Sequence, residues 1–181
     1  MSVSTPDEVL AFWRAAGPDK WFAKDDAFDT EIRARFLPTY EAAAASKLSE
    51  WEATAESALA LTITLDQFPR NMFRGDARAF ATDATARAVA DRALVHGFDQ
   101  QVPLDERLFF YLPFEHSENV PDQERCCALV RTLGNADLLR WAELHADVIR
   151  RFGRFPHRNA VLGRITTAAE RQFLDNDGFA G

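Results

Sequence analysis

The chain has 181 residues, of which 47% are hydrophobic and 12% aromatic, a composition that fits one globular domain with a hydrophobic core. Its net charge of −7 argues against nucleic-acid binding, which needs a broad basic surface. No apolar run approaches the ~18 residues of a membrane span, and the N-terminus lacks a signal-peptide pattern, so we predict a cytoplasmic protein with no membrane partner.

Helix signals begin close to the N-terminus. Thr5 followed by Pro6 is typical of a helix start, and Gly17 is typical of its end. A second helix is predicted from about Asp26, where large apolar residues recur every four positions. Because proline lacks the backbone N–H, Pro38 is expected to kink or break this helix.

A third helix is predicted from the capping box formed by Ser49 and Glu52, and it extends to about Leu65. The sequence that follows, "DQFPRNMFRGD" at 66–76, shows no regular hydrophobic period. We therefore predict a long polar connection over 66–76.

The next two predicted helices are bounded by glycine and proline. One ends at His96, where Gly97 fits the position after a helix C-terminus. A short one begins at Pro103 and is expected to stop at Pro113. The polar stretch "FEHSENV" at 114–120 is then predicted as a second irregular connection.

The last part of the chain is predicted to contain two helices before a third connection. The first begins at Pro121, and the second runs from Asn135 or Asp137 to Gly153. His145 lies on the apolar side of this second helix, so it is interpreted as a core histidine. The arginine-rich stretch after Gly153 is the third connection.

A capping box of Thr167 and Glu170 opens the last predicted helix. About eight helices are thus expected, and alternating β-branched patterns typical of strands are lacking. We predict one all-α domain over residues 1–181, a compact helical array similar to an α-solenoid or tetratricopeptide-repeat protein, without that repeat's sequence signature.

A short pattern occurs twice in the sequence, as "QFPRN" at 67–71 and "RFPHRN" at 154–159. In each copy Phe-Pro is followed by Arg and Asn, with one residue inserted in the second copy. We predict the same local role for both: proline stops a helix, phenylalanine anchors the loop, and the arginine and asparagine reach back to neighbouring groups.

The three predicted connections carry the candidate site residues. In chain order these are Asp66, Gln67, Arg70, Asn71, Glu115, His116, Glu118, Arg154, His157, Arg158 and Asn159. They stand beside large aromatic residues, and half-buried charges need partners. One interpretation is a structural lock, in which the acids pair with the arginines and tie the connections together.

The other interpretation is a binding site for a small anionic molecule. Arg70, Arg154 and Arg158 would bind the anion, because guanidinium groups match carboxylate and phosphate geometry. His116 or His157 would act as acid or base, oriented by a neighbouring glutamate such as Glu118. Among the functions considered, we slightly favour this site over a module that binds a peptide or a partner protein. Enzymatic activity, cofactor identity and oligomeric state are left open.

Three further hypotheses were weighed. A helical module that binds a peptide or a partner protein is the main alternative, and it predicts an exposed groove lined by aromatic and asparagine side chains. The arginines at 150–164 could contact nucleic acid, but the acidic remainder disfavours it. No metal site is predicted, because the Glu-His-x-Glu spacing at Glu115–Glu118 fits no metal motif. The adjacent Cys126 and Cys127 are predicted to be reduced thiols in the core.

Three long stretches in this order resemble a bacterial family known as domain of unknown function 924. They are "LDQFPRNMFRGDARAFATD", "FFYLPFEHSE" and "RFGRFPHRNAVLGR". The resemblance implies an all-α fold similar to tetratricopeptide-repeat proteins, and it implies no activity. Asp66–Arg70, His116–Glu118 and Arg154–Asn159 match the family's motif positions.

Overall fold

A computed structural model describes residues 2–176, and the regular secondary structure of these residues is helical throughout. The α-helices are α1 (Pro6–Ala16), α2 (Pro18–Trp21), α3 (Asp26–Ala44), α4 (Ala55–Met72), α5 (Asp83–Val95), α6 (Leu108–Glu115), α7 (Val120–Arg131), α8 (Ala136–Phe152) and α9 (Ala168–Asn176). Short 3₁₀ helices lie at Ser49–Ala53, Ala77–Phe80, Phe98–Gln101 and Pro156–Arg158. The all-α prediction is confirmed, with α2 as one short helix more than expected.

The chain divides into two compact units, Met1–Pro113 and Phe114–Gly181. In the first unit α4 is central: all but three of its 18 residues are buried, and α1, α3 and α5 pack against it. In the second unit α7 packs along α8, and α9 packs against the 3₁₀ helix at Pro156–Arg158. A single domain over 1–181 stays a prediction.

The predicted helix caps are present at several positions. The Thr5 hydroxyl accepts from the backbone N–H of Glu8, whose carboxylate accepts from the Thr5 N–H at 2.7 Å. The Asn135 side chain accepts from the first N–H groups of α8. Thr167 and Glu170 form the predicted capping box, because Glu170 accepts from the Thr167 N–H and its own N–H donates to the Thr167 hydroxyl.

The prediction that prolines end the helices is wrong at Pro69 and Pro113, which lie inside α4 and α6. Pro38, which was expected to kink or break its helix, does not break it and lies inside α3. A proline inside a helix leaves the carbonyl four residues earlier without its usual donor. For Pro69 that carbonyl belongs to Leu65, and the buried Thr82 hydroxyl donates to it at 2.6 Å. A side chain distant in sequence thus replaces the missing hydrogen bond.

Two predicted connections are correspondingly shorter than expected. Residues 66–72 form the last two turns of α4, so the candidate residues there lie on a helix and not in a loop. Glu115 is the last residue of α6. The start of α4 is also displaced: Ser49–Ala53 forms a separate 3₁₀ helix, and Thr54 caps α4 by accepting from the Ser57 N–H.

Candidate functional site

The candidate residues of the first unit lie on the C-terminal half of α4. Asp66 is fully buried, and its carboxylate accepts from the Gln67 amide at 2.7 Å. The Arg70 guanidinium donates to the Asp66 carbonyl at 2.6 Å and lies 3.0 Å from the Asp83 carboxylate. Arg70 is therefore held between the C-terminal part of α4 and the start of α5.

Asn71 binds a carboxylate from α3. Its side-chain amide donates to Asp29 at 2.7 Å. Arg74 approaches the same carboxylate through two nitrogens, at 2.7 and 3.0 Å. This hydrogen-bonded pairing raises the pKa of Arg74 above its usual value. Asn71 thus helps to fasten the end of α4 to α3. Participation of Asp66, Gln67, Arg70 and Asn71 in ligand binding stays a prediction.

In the second unit, the backbone of the second connection is held by two side chains. The Gln123 amide nitrogen of α7 donates to the carbonyls of Glu115, at 2.6 Å, and Ser117, at 2.7 Å. The Arg158 guanidinium donates to the His116 carbonyl at 3.1 Å. The carbonyl of Glu115 is one that the end of α6 leaves without an intrahelical partner, and those of His116 and Ser117 lie in the connection that follows. The side chains of Glu115 and His116 therefore project from a fixed backbone.

The ring of Phe155 gathers three basic side chains around it. Phe155 is fully buried, and the guanidinium carbon of Arg158 lies 4.5 Å from its ring centre. The His145 ring meets it edge-on at 5.7 Å, and the His157 ring lies 5.6 Å away. Residues from α8 and from the third connection therefore converge on one aromatic side chain.

Glu115 supplies a carboxylate beside His145, with its Oε1 atom 3.4 Å from the ring nitrogen Nδ1. The same Nδ1 lies 2.9 Å from the Trp141 carbonyl. Because a carbonyl can only accept, Nδ1 carries the proton in the neutral ring and donates it to Trp141. We call the following residues the Phe155 cluster: Glu115, His116, His145, His157 and Arg158.

Burial keeps two histidines of the cluster neutral at pH 7. The pKa of His145 is lowered to about 3, mainly by burial and to a lesser extent by the nearby His116, Arg158 and His157. The hydrogen bond to Trp141 raises this pKa but does not outweigh the burial. Burial also lowers the pKa of His157 to about 4, with Arg158 as the next contribution. Each imidazole is therefore available as a neutral hydrogen-bonding group.

Glu118 holds the third connection in place. Its carboxylate pairs with both terminal nitrogens of Arg164, at 2.7 and 3.0 Å, and accepts from the Phe155 N–H at 2.8 Å. Burial raises the pKa of Glu118, but the hydrogen bonds from Arg164 and Phe155 outweigh it, so the pKa lies below its usual value. Glu118 acts here as a backbone anchor for Phe155.

Arg154 and Asn159 share a different carboxylate, that of Glu170 at the start of α9. Arg154 donates to it at 2.6 and 2.9 Å, and Asn159 does so at 3.3 Å. The bond from Arg154, followed by those from Thr167 and Asn159, lowers the pKa of Glu170 to about 2. These contacts close the third connection onto α9.

The candidate residues of the second unit thus fall into two groups. Glu115, His116, His157 and Arg158 belong to the Phe155 cluster, whereas Glu118, Arg154 and Asn159 secure the backbone around it. His145 was predicted only as a core residue. No site role was predicted for Arg164 or Glu170, although the capping box at Thr167 located Glu170 correctly.

The thiol of Cys126 lies beside the same cluster, and its sulfur is 3.9 Å from the Glu115 carboxylate. Burial and the negative charge of Glu115 raise the pKa of Cys126 well above its usual value. The thiol therefore stays protonated and is a poor nucleophile. Both cysteines are buried and reduced.

The part of the chain that the structure describes has neither a cluster of metal-binding side chains nor a membrane-spanning helix. Within residues 2–176, no group of three or more His, Cys, Asp or Glu side chains is arranged to hold a metal ion. In the same range, no helix combines the length and the apolar character needed to cross a bilayer.

Comparison with known proteins identifies the family. No curated protein matches the chain. A solved structure of a protein of unknown function from Agrobacterium tumefaciens is 51% identical to it, with a TM-score of 0.91, and the alignment covers 94% of this chain and 96% of that chain. Residues 9–178 match the family model described as bacterial protein of unknown function, DUF924. The chain therefore belongs to the DUF924 family of bacterial proteins.

Proposed function

We propose that this protein binds a small anionic molecule, a carboxylate or a phosphate ester, at the Phe155 cluster. Arg158 supplies the permanent positive charge, and His157 and His116 supply hydrogen bonds to the anion. The proposal concerns binding, and no chemical step is assigned to it.

The observation that carries the proposal is the convergence of basic groups on Phe155. His145, His157 and Arg158 all contact this ring, while His116 is tied to Arg158 through its carbonyl. Charge-assisted hydrogen bonds from a guanidinium are the usual means of binding small carboxylates and phosphates. Titratable groups with shifted pKa values in one place are also typical of functional sites.

The fixed backbone around the cluster supports the same conclusion. Gln123 and Arg158 hold the second connection, and Glu118 and Glu170 hold the third. Binding groups that are held in position before the ligand arrives lose little conformational entropy on binding. Glu118, Arg154 and Asn159 are therefore assigned to positioning, and Arg158 to the ligand.

Proton uptake should accompany binding. His157 is neutral at pH 7 because its pKa is about 4. A bound anion favours the charged imidazolium and therefore raises this pKa. Anion affinity should then increase as the pH is lowered from 7 to 5.

The test is thermal unfolding of the purified protein against a panel of anions: inorganic phosphate, glycerol phosphate, citrate, succinate and pyruvate. A ligand at 100 times its dissociation constant stabilises the folded state by about 2.7 kcal/mol, which raises the melting temperature by roughly 5–10 °C. We expect such a shift for at least one anion in the wild type and its loss in Arg158→Met and His157→Gln.

Arg171→Gln serves as the matched control, because Arg171 is an exposed arginine of the same unit. It should keep the full ligand-dependent shift. Because Arg158 is buried, its replacement also tests the stability of the fold, so His157→Gln is the variant on which the conclusion depends. A shift of equal size in wild type and His157→Gln, or none with any anion, would contradict the proposal.

The alternative function is that of a helical module that binds a peptide. That hypothesis expected asparagine side chains along an exposed groove, whereas Asn71 and Asn159 are 7% and 0% exposed and bind carboxylates of their own chain. This burial counts against the groove that the alternative requires, and we keep the anion site as the proposal.

A further inference from the structure

Helix α8 carries charged and apolar residues along its exposed side. Its buried side is formed by residues such as Ala142, His145 and Ala146. With 3.6 residues per turn, residues spaced three, four and seven apart share one side of a helix. We call the exposed residues on that side the α8 stripe: Asp137, Arg140, Trp141, Leu144, Asp147 and Arg151.

Two large apolar side chains lie at the centre of the stripe. Trp141 is 46% exposed and Leu144 is 41% exposed. Tryptophan in particular is enriched among residues that dominate binding energy at protein interfaces. The centre of the stripe therefore has the composition of an interface core with a charged rim.

The charges of the stripe are ordered so that the helix is complementary to itself. Asp137 stands seven positions before Leu144, and Arg151 stands seven positions after it. Arg140 and Asp147 flank Leu144 in the same way, at four and three positions. Inverting the direction of the helix about Leu144 thus places Asp137 on Arg151, and Arg140 within one position of Asp147.

We propose that the α8 stripe is a self-association surface, on which α8 of a second copy of this chain packs antiparallel. Leu144 lies on the two-fold axis and contacts its own counterpart. A two-fold interface uses the same surface on both subunits, so each contact occurs twice.

In this arrangement the two flanks of the contact differ. At 100° per residue, Arg140 and Asp147 lie on one flank of Leu144 and Trp141 lies on the other. Arg140 of one copy then meets Asp147 of the second copy, while the two Trp141 rings cover the opposite flank. Asp137 and Arg151 pair at both ends, roughly 21 Å apart along the helix from its 1.5 Å rise per residue.

Charge order is also the reason to expect a second copy as the occupant. A parallel two-fold pairing would bring Asp137 next to Asp137 and Arg151 next to Arg151, whereas the antiparallel pairing matches all four charges with opposite ones. Within one copy, Arg140 lies 3.9 Å from Asp137 and Arg151 lies 3.4 Å from Asp147. These ion pairs are loose and exposed, so losing them costs little. Arg140 also lies 5.2 Å from the centre of the Trp141 ring, and this contact would be exchanged as well.

Sedimentation equilibrium of the full chain over a wide concentration range tests the proposal. A single-helix contact is small, so we expect a reversible dimer whose mass approaches twice the 20.4 kDa of the chain at high concentration. Leu144→Glu should raise the dimer dissociation constant at least tenfold, because it places two like charges on the two-fold axis. Val95→Glu is the control, since Val95 is 77% exposed and lies outside the stripe.

Charge exchange tests the antiparallel register. Arg140→Glu should weaken the dimer, and adding Asp147→Arg should restore it, because the swapped pair has the same complementarity. A wild type that stays monomeric at every concentration would overturn the proposal. So would a dimer that Leu144→Glu leaves intact, and failure of the double exchange to restore association would refute the antiparallel pairing.

Discussion

The two Phe-Pro segments, 67–71 in the first unit and 154–159 in the second, use the same residues in different backbone conformations. The first lies inside α4, whereas the second follows a left-handed Gly153 and forms a 3₁₀ turn. Their phenylalanines, Phe68 and Phe155, are both fully buried. The anchoring role of phenylalanine therefore does not depend on whether its backbone is a helix or a turn.

The asparagines of the two segments also act alike. Asn71 donates to Asp29, which Arg74 holds through two nitrogens. Asn159 donates to Glu170, which Arg154 holds in the same manner. In each unit, one asparagine and one arginine thus share a single carboxylate that ties the segment to another helix.

The arginine after the proline distinguishes the two segments. Arg70 approaches two carboxylates, those of Asp66 and Asp83. Arg158 lies over the Phe155 ring, donates to a carbonyl, and has His157 beside it. The phenylalanine and the asparagine therefore have the same structural role in both segments, whereas only the second segment places its arginine beside histidine side chains.

The largest expected effect comes from removing either anchor. Phe68→Ala and Phe155→Ala should each reduce the free energy of unfolding by about 3–5 kcal/mol, because a fully buried ring leaves a cavity. Urea denaturation followed by circular dichroism measures both. If one variant lost less than about 1 kcal/mol, a value typical of surface sites, the equivalence of the two anchors would be refuted.

A pH dependence should distinguish the second segment from the first. The pKa values of His145 and His157 are lowered in the folded protein to about 3 and about 4, so below their ordinary value of about 6.5 the unfolded chain binds more protons. The free energy of unfolding should therefore have its full value above pH 6.5. It should fall as the pH drops toward 5, by up to about 1.4 kcal/mol per pH unit for each histidine.

Urea denaturation at pH 7, 6 and 5 measures this slope. His157→Gln should reduce the slope, whereas His96→Gln, at the end of α5 in the first unit, serves as the control. Glu118 and Glu170, whose pKa values are lowered in the folded protein, add the same small slope near pH 5 to wild type and variant, so the difference between the two reports His157. Equal slopes in wild type and His157→Gln would show that His157 is not the buried neutral group described above.

The stability of α4 with Pro69 in its interior should depend on the Thr82 hydroxyl. Thr82→Val removes the hydroxyl that donates to the Leu65 carbonyl and should cost about 1–3 kcal/mol, since it leaves a buried acceptor unsatisfied. Adding Pro69→Ala supplies a backbone N–H to the same carbonyl. The double variant should therefore be more stable than Thr82→Val alone in thermal denaturation, and a further loss would contradict this explanation.

The smallest expected effect concerns the glycine before the second segment. Gly153 has φ of 69°, in the left-handed region, and its N–H donates to the Ile149 carbonyl at the end of α8. Gly153→Ala should cost about 1–2 kcal/mol because a side chain is disfavoured there. Gly153→Asn should cost less, since asparagine tolerates this conformation better, and the reverse order in melting temperature would contradict the assignment.

Much of the fold could be predicted because its signals are local. Thr5, Asn135 and Thr167 cap helices through groups two or three residues away, so the pattern alone locates them. The interior prolines could not be placed in the same way. The hydroxyl that makes Pro69 tolerable comes from Thr82, 17 positions from the carbonyl it serves, and nothing near Pro69 in the sequence indicates it.

The residues of the candidate site could be named from the sequence, but their hydrogen-bond and ion-pair partners could not. Polar residues beside large aromatic residues pointed to His116, His157 and Arg158. Their partners depend on contacts distant in sequence, such as Glu118 with Arg164, 46 positions apart. His145 was predicted only as a core histidine, because its position on an apolar helix face does not indicate the carboxylate of Glu115 beside it.

The most direct test of the anion site is NMR observation of the histidine side-chain nitrogens while inorganic phosphate, and in a second series citrate, is added. We predict saturable shifts of the His157 and His116 signals, and a pKa of His157 that rises above its value of about 4 in the unliganded protein when the anion is bound. His96, in the first unit, should not respond. Histidine signals of the Phe155 cluster that keep their shifts with both anions, together with an unchanged pKa of His157, would contradict anion binding at this cluster.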